Sequence, residues 1–164
     1  MNQTENKHDL VIGLGEIGKP LKNILEEVYS VIGRDIDQVE INGKIRVLHI
    51  CYPYQVGAFV QTTIDYVDQY QPELTIVHST IVPGTMRKIF ESLGGMLAYS
   101  PMRGKHTRMR QDLMYYTKLI AGATPEACDM GADYLSKANY NIKKVSKLES
   151  LELAKIVETT YFGL

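Results

Sequence analysis

The sequence predicts an α/β protein with a Rossmann-like, doubly wound parallel sheet, followed by the start of a long connecting helix. Two observations predict this fold class. Short apolar segments alternate along the chain with segments of about 10 to 15 residues that have helical periodicity. The first apolar segment, 9–15, ends in glycines, as a buried parallel strand does when it leads into a tight turn. We expect the Rossmann domain to cover 1–146 and the connecting helix to begin at 147–164.

The first half of the chain contains three predicted strands and two predicted helices. Pro20 is compatible with the first turn of the first helix, because its missing N–H would have no partner there. Asn42-Gly43 is a typical turn pair and closes a loop before the third strand. The predicted strands are 9–15, 29–35 and 45–51, the predicted helices are 19–29 and 58–70, and the loop is 37–44.

The second half of the chain repeats this alternation. Thr124 is a good N-cap and Pro125 a good first residue for a helix, so a helix is predicted to begin there. The segment 103–110 is basic and is predicted to be irregular. The predicted strands are 74–78, 96–99, 118–122 and 141–145, and the predicted helices are 85–93, 125–137 and 148–164.

Composition excludes several classes of protein. The 164 residues are 45% hydrophobic and carry a formal net charge of −1, which argues against a dedicated nucleic-acid binder. No apolar run approaches the roughly 20 residues that span a bilayer, and the N-terminus resembles no secretory signal, so we expect a cytoplasmic protein. Cys51 and Cys128 are interpreted as buried free thiols, and His49 and His78 as core residues, so no metal site is predicted.

The clearest motif is Gly13-Leu14-Gly15-Glu16-Ile17-Gly18, a G-x-G-x-x-G between a predicted strand and a predicted helix. In such a motif the glycines permit a tight turn, close approach of a pyrophosphate and close helix–strand packing. Asp35 ends the second strand, 20 residues beyond Gly15, where a carboxylate can accept both ribose hydroxyls of NAD. Two alternatives stay open: a purely structural turn, or NADP, with Arg34 receiving the 2′-phosphate.

Further polar and turn-forming residues follow the later strands. Because ligands of open α/β sheets bind beyond the carboxyl ends of the strands, these residues are candidates for one site. The run 103–110 holds four fixed cations and one histidine, and it predicts either an anionic-substrate site or a solvated basic loop. The candidates are Tyr52, Pro53, Ser79 and Thr80 for the cofactor, and Arg103, Lys105 and His106 for the substrate.

Taken in order, these motifs resemble those of the UDP-glucose/GDP-mannose 6-dehydrogenases, from about residue 10 to residue 161. The most specific part is the S-T-x-x-P-G-T loop at 79–85, followed at the right distance by Ser100-Pro101 and then by the E-L-x-K motif at 152–155. These enzymes oxidise a sugar C6 alcohol in two NAD-dependent steps. The resemblance implies that 13–17 hold the NAD diphosphate, that Thr80 helps to position cofactor and attacking water, and that Lys155 stabilises charge on the reacting oxygen.

The sequence also departs from the pattern of that family. Met102 replaces a glutamate that usually follows the Ser-Pro pair, and Thr159 replaces an asparagine four residues past the lysine. The loop 37–44 stands where the family has a further helix and strand, and the family's catalytic cysteine belongs to a C-terminal domain that has no counterpart in this sequence. We therefore expect a reduced or truncated nucleotide-sugar dehydrogenase domain.

Two other functions and one assembly state also fit the sequence. The domain would be a nucleotide-binding regulatory module if catalysis has been lost, or a β-hydroxyacid-type dehydrogenase, which also has a Rossmann half and a lysine on a later helix. The helix 148–164 is apolar on more than one face, which predicts a homodimer that forms through it.

Overall fold

The computed structural model describes residues 6–37, 39–104 and 108–162. The seven strands are β1 (Lys7–Ile12), β2 (Val31–Arg34), β3 (Lys44–Ile50), β4 (Leu74–Val77), β5 (Leu97–Tyr99), β6 (Lys118–Gly122) and β7 (Ile142–Lys144). The six helices are α1 (Gly18–Leu25), α2 (Phe59–Tyr70), α3 (Thr85–Leu93), α4 (Met109–Tyr115), α5 (Pro125–Lys137) and α6 (Leu148–Phe162).

All seven strands form one sheet in the order β2-β1-β3-β4-β5-β6-β7. The first five strands pair in parallel, which confirms the Rossmann-like parallel sheet for the part that carries the glycine motif. β6 instead pairs with β5 in the antiparallel direction, and β7 is parallel to β6. The predicted parallel sheet therefore contains one antiparallel pairing, between β5 and β6.

Helices cover both faces of the sheet, so the prediction of a doubly wound fold is confirmed. One hydrophobic cluster contains side chains of α1, α4 and α5, including Leu21 and Leu135, neither of which is exposed. A second cluster contains side chains of α2, α3 and α6, including Phe59 and Ile89. Burial of these two faces supplies the main driving force for folding.

Two local predictions have different outcomes. The sequence predicts that 103–110 is irregular, whereas α4 begins at Met109, because Met109 and Leu113, one turn apart, are buried in the first cluster. The loop between β2 and β3 contains no helix or strand among its described residues, as its length predicts. β2 consequently lies at the edge of the sheet.

Candidate functional site

The glycine motif forms a crowded turn between β1 and α1. Gly13 has a positive φ of 91°, and a Cβ atom there would lie 2.7 Å from the backbone nitrogen of Tyr52. A Cβ atom at Gly18 would lie 1.8 Å from the carbonyl oxygen of Gly13. Both contacts are far shorter than van der Waals distances, so no larger residue fits at either position. This turn therefore requires glycine at its first and third motif positions.

Gly15 differs from the other two glycines because it is exposed, and a Cβ atom there would meet no atom within 4 Å. The fold itself does not require glycine here, whereas the close approach of a ligand's diphosphate to the protein backbone would. α1 begins three residues later at Gly18, and no side chain caps its N-terminus among the described residues. A surface pocket of about 300 Å³ opens at this point, lined by Gly15, Glu16, Lys19, Pro20, Asn23 and Arg110.

Asp35 directly follows β2 and is exposed beside this turn. Its Oδ1 atom accepts a long hydrogen bond of 3.4 Å from the backbone N–H of Leu14 in the glycine motif. The carboxylate therefore lies next to the motif, where a ribose bound with its diphosphate at Gly15 would extend. Ile17, the residue before α1, is half-buried in the first hydrophobic cluster and fixes the entry of the helix.

Arg34 is held away from this exposed position. Its side chain is buried, its guanidinium lies 5.2 Å from the centre of the Tyr66 ring, and it donates a hydrogen bond to the Tyr70 hydroxyl. Asp35, the next residue, lies outside β2 and is exposed. This arrangement does not present a guanidinium beside the Asp35 carboxylate.

The loops that follow β3, β4 and β5 are joined by hydrogen bonds. Ser79 is buried, and its hydroxyl donates to the carbonyl oxygen of Tyr52 at 2.6 Å. The Tyr99 hydroxyl donates to the carbonyl oxygen of Ser79 at 3.1 Å. The Tyr52 hydroxyl is 2.6 Å from the Thr63 hydroxyl, and burial raises its pKa. Because Tyr52 also packs against Gly13, the polar residues at these strand ends lie along one continuous edge.

Lys155 lies farther along this edge, in a cavity of about 410 Å³ between α6 and the ends of β5 and β6. Its ammonium group is 3.5 Å from Oε2 of Glu158, whose other oxygen accepts a hydrogen bond from Nε of Arg103. Glu158 therefore bridges two cations within a cavity whose other lining residues are mostly apolar. These residues are Pro101, Leu119, Leu151, Ala154, Val157 and Tyr161.

Glu152, the first residue of the E-L-x-K motif, connects α6 to the S-T-x-x-P-G-T loop. Its side chain is completely buried, and its two carboxylate oxygens accept hydrogen bonds from the backbone N–H groups of Gly84 and Met86, at 2.6 and 2.8 Å. Burial raises the pKa of Glu152, and these two hydrogen bonds oppose that shift. Glu152 thus caps the N-terminus of α3 from a different helix.

The structure gives fewer contacts for the remaining predicted site residues. Thr80 and Pro53 are exposed at the same edge of the sheet. The Thr159 hydroxyl donates to the carbonyl oxygen of Lys155 in its own helix at 2.8 Å, so it is already used within α6. Of the predicted substrate residues, Arg103 lines the Lys155 cavity, whereas Lys105 and His106 lie outside the described residues.

The described arginines of the basic run pair with carboxylates. Arg110 forms an ion pair with Glu27, and Arg108 lies 3.6 Å from Asp112. The Arg103 guanidinium, besides bonding to Glu158, lies 5.2 Å from the centre of the Tyr116 ring. Each described arginine of the run thus has a carboxylate partner, and the choice between an anionic-substrate site and a solvated basic loop stays a prediction.

Sequence reasoning missed a buried polar cluster beneath the site. His49 and His78 are core residues, as predicted, but Lys118 is buried with them, and its burial lowers its pKa to about 7. An isolated lysine in a strand pattern gives no sequence signal of this kind. Both cysteines are buried free thiols, and burial raises the pKa of Cys51 to about 12, so it is a poor nucleophile.

Among the residues that the structure describes, no group of three or more histidine, cysteine, aspartate or glutamate side chains could hold a metal ion. Within the same ranges, no helix has both the length and the apolar character needed to cross a membrane.

Several solved structures are similar to this chain. No protein-family model and no curated protein matches the sequence. The structure of UDP-D-ManNAc dehydrogenase from Pyrococcus horikoshii matches with a TM-score of 0.80 at 21% identity, over 95% of this chain and 50% of that one. A UDP-glucose dehydrogenase from Pyrobaculum islandicum matches with a TM-score of 0.74 at 14% identity, over 98% of this chain and 51% of that one. The chain has their fold.

The match is confined to part of each similar protein. The chain spans about half the length of both dehydrogenases. The imine reductase BcSIRED from Bacillus cereus also matches, with a TM-score of 0.67 at 12% identity, over 96% of this chain and 61% of that one. The resemblance to nucleotide-sugar dehydrogenases is therefore confirmed at the level of the fold.

Proposed function

We propose that the chain is an NAD-binding oxidoreductase domain that transfers a hydride from an alcohol, such as that of a nucleotide sugar, to NAD. The observation that carries this proposal is the contrast between the three glycines of the motif. Gly13 and Gly18 are required by packing, whereas Gly15 faces open space beside an uncapped helix N-terminus. A dinucleotide diphosphate explains that open glycine, since it needs close approach to backbone N–H groups.

The surroundings of Asp35 favour NAD over NADP. A carboxylate next to the motif accepts hydrogen bonds from ribose hydroxyls and repels a 2′-phosphate. Arg34, the residue that would bind such a phosphate, is buried against Tyr66 and Tyr70. In this proposal 13–18 hold the diphosphate, Asp35 holds the adenosine ribose, and the loops at Tyr52-Pro53 and Ser79-Thr80 flank the remainder of the cofactor.

Lys155 is proposed as the residue that stabilises negative charge on the reacting oxygen. Its ammonium group lies in a cavity with mostly apolar walls, where a fixed positive charge stabilises a developing oxyanion more strongly than it would in water. Bound NAD would supply the hydride acceptor. Glu158 accepts from both Arg103 and Lys155, and Thr80 is exposed at the same edge of the sheet.

A binding module without catalysis is the second candidate. Met102 is buried and contacts Lys118 through its sulfur at 3.2 Å, so it offers no acid–base group at the position after Ser100-Pro101. The Thr159 hydroxyl donates a hydrogen bond to the Lys155 carbonyl oxygen within α6. Hydride transfer to NAD with any nucleotide sugar would exclude this candidate, and turnover of small hydroxy acids alone would instead favour a β-hydroxyacid-type dehydrogenase.

Calorimetric titration with NAD, NADH, NADP and NADPH tests the cofactor proposal. We expect Asp35→Asn to weaken NAD binding about tenfold, because a charged hydrogen-bond acceptor is lost. Asp37→Asn, which removes an exposed carboxylate two residues away, is the matched control and should bind as wild type. Absence of binding heat with all four dinucleotides would contradict the proposal.

We also propose that residues 147–164 begin a helix that joins two domains and forms a homodimer. On the described part of α6, Leu153, Val157 and Tyr161 expose 54%, 58% and 76% of their surface. An apolar stripe of this kind is stabilised by contact with a second copy of the helix, and because Val157 and Tyr161 also line the Lys155 cavity, that copy would lie beside the cavity. Light scattering should give a dimer mass for the wild type and a monomer mass for Leu153→Glu.

A further inference from the structure

A chain of hydrogen bonds between side chains runs through the core, under the edge that carries the candidate site. It begins at Asp9 on β1, which accepts from the Tyr134 hydroxyl at 2.8 Å. The Tyr134 oxygen is 3.0 Å from Nε2 of His49, and Nδ1 of His49 is 2.9 Å from Nε2 of His78. Nδ1 of His78 is 2.7 Å from the carbonyl oxygen of Ser100, where the chain ends.

Both ends of this chain can only accept protons in hydrogen bonds. At one end, Arg46 donates to both oxygens of the Asp9 side chain, at 2.9 and 2.7 Å, so these oxygens act as acceptors. At the other end, the backbone carbonyl of Ser100 can only accept, and it also accepts a hydrogen bond from Nζ of Lys118 at 3.0 Å. Four contacts separate the two ends, and each needs one proton to be a hydrogen bond. The three groups between the ends are Tyr134, His49 and His78, and each carries one proton when neutral.

With both rings neutral, the chain is therefore one proton short. Three protons cannot fill four contacts, so two acceptors face each other at one contact wherever the protons are placed. All three groups are buried, with at most 7% exposure, so water has little access to separate the two acceptors. An unsatisfied buried polar contact of this kind is costly, and a fourth proton would convert it into a hydrogen bond.

Charged and titratable groups surround the two rings. Burial and the positive charge of Lys118 lower the pKa of both histidines, since they oppose a second proton on either ring. Arg46, which is paired with Asp9, also lowers the pKa of His49, so it is the completed hydrogen bonds that favour the added proton. The surrounding groups are Asp9 from β1, Arg46 from β3, Cys51 after β3, Lys118 from β6, Tyr134 from α5, Tyr29 before β2 and Lys155 from α6.

We propose that the Asp9–Tyr134–His49–His78–Ser100 chain is a buried binding site for a single proton, filled in the folded protein under mildly acidic conditions. Filling the site completes all four hydrogen bonds and leaves one ring as an imidazolium between two acceptors. The site is independent of cofactor binding. It does reach the candidate active site, because Ser100 directly precedes Pro101, which lines the Lys155 cavity, and His78 directly precedes Ser79.

Tyr134→Phe provides the decisive variant. Without the tyrosine hydroxyl the two contacts that remain, His49–His78 and His78–Ser100, are filled by two neutral rings, so the need for an added proton disappears. At about pH 5 the unfolded chain protonates both histidines, since their ordinary pKa is about 6.5. Unfolding should then take up about one proton more in Tyr134→Phe than in the wild type. The unfolding constant of the variant should therefore rise by an additional factor of about ten, compared with that of the wild type, for each pH unit of acidification.

Tyr140→Phe is the matched control. The Tyr140 hydroxyl is buried and forms no hydrogen bond with the described residues, and it lies outside the chain. This variant should keep the wild-type pH dependence. Urea unfolding between about pH 4.5 and 6 measures the three slopes, and equal slopes for wild type and Tyr134→Phe would overturn the proposal.

Nitrogen NMR of protein labelled at histidine gives a second test that needs no variant to fold. In the folded wild type at about pH 5, one of the two buried rings should show protons on both nitrogens. Two neutral buried rings down to the onset of acid unfolding would refute the proposed site.

Discussion

Replacement of Glu152 by alanine tests the connection between α6 and the S-T-x-x-P-G-T loop. The carboxylate is completely buried and receives two backbone hydrogen bonds, from Gly84 at 2.6 Å and Met86 at 2.8 Å. A hydrogen bond to a charged group contributes about 1.5 to 3 kcal/mol, and removal of the acceptor leaves each N–H unsatisfied. Glu152→Ala should therefore lower the free energy of unfolding by about 3 to 5 kcal/mol. Glu152→Gln keeps one acceptor oxygen and should lose about 1.5 to 3 kcal/mol.

Urea unfolding followed by circular dichroism measures these losses. Glu149→Ala is the matched control on the same helix. Glu149 pairs with Arg87 at 3.1 Å, but both side chains are 42% exposed, so its removal should cost at most about 1 kcal/mol. If Glu152→Ala loses no more stability than Glu149→Ala, the assignment of Glu152 as the cap of α3 is incorrect.

Two further predictions concern the glycine turn and the buried lysine. Gly18→Ala should destabilise the fold, because its Cβ atom would lie 1.8 Å from a backbone oxygen. Gly15→Ala should fold normally and weaken only dinucleotide binding. Equal stability losses of the two variants in thermal unfolding would contradict this prediction. Burial lowers the pKa of Lys118 to about 7, so the unfolded state binds more protons above that pH and stability should rise as the pH rises from about 7 to 9.5. The slope of about 1.4 kcal/mol per pH unit should be absent in Lys118→Met, and parallel urea curves for both proteins would argue against a neutral buried amine.

The spacing of apolar residues predicts most of the fold, because each helix must bury one apolar side against a face of the sheet. Helices α3 and α5 and strand β6 have the bounds that the sequence predicts, since each combines clear turn residues with a regular apolar pattern. The direction of β6 could not be predicted in this way. The alternation of apolar residues is the same for parallel and antiparallel pairing, and only the path of the chain through α4 reverses the strand.

The candidate site was predictable only where local geometry dictates residue type. Because crowding at Gly13 and Gly18 permits only glycine, the spacing of these residues is recognisable in the sequence. The role of Glu152 could not be read in this way, because its partners lie 66 and 68 residues away and are backbone groups of unremarkable type. The same holds for His78, whose partners are His49 in β3 and the carbonyl group of Ser100 directly after β5, 29 and 22 residues away.

The edge position of β2 has a consequence for the behaviour of the protein in solution. An edge strand offers a free row of N–H and C=O groups, with which another extended chain can pair and aggregate. β2 is only four residues long and contains Gly33, so it is a poor template for strand addition. Arg34, at its end, folds back beneath Tyr66 and Tyr70 and covers apolar surface next to the edge. A Rossmann sheet with a short β2–β3 loop can thus end at β2 without becoming a nucleus for fibre formation.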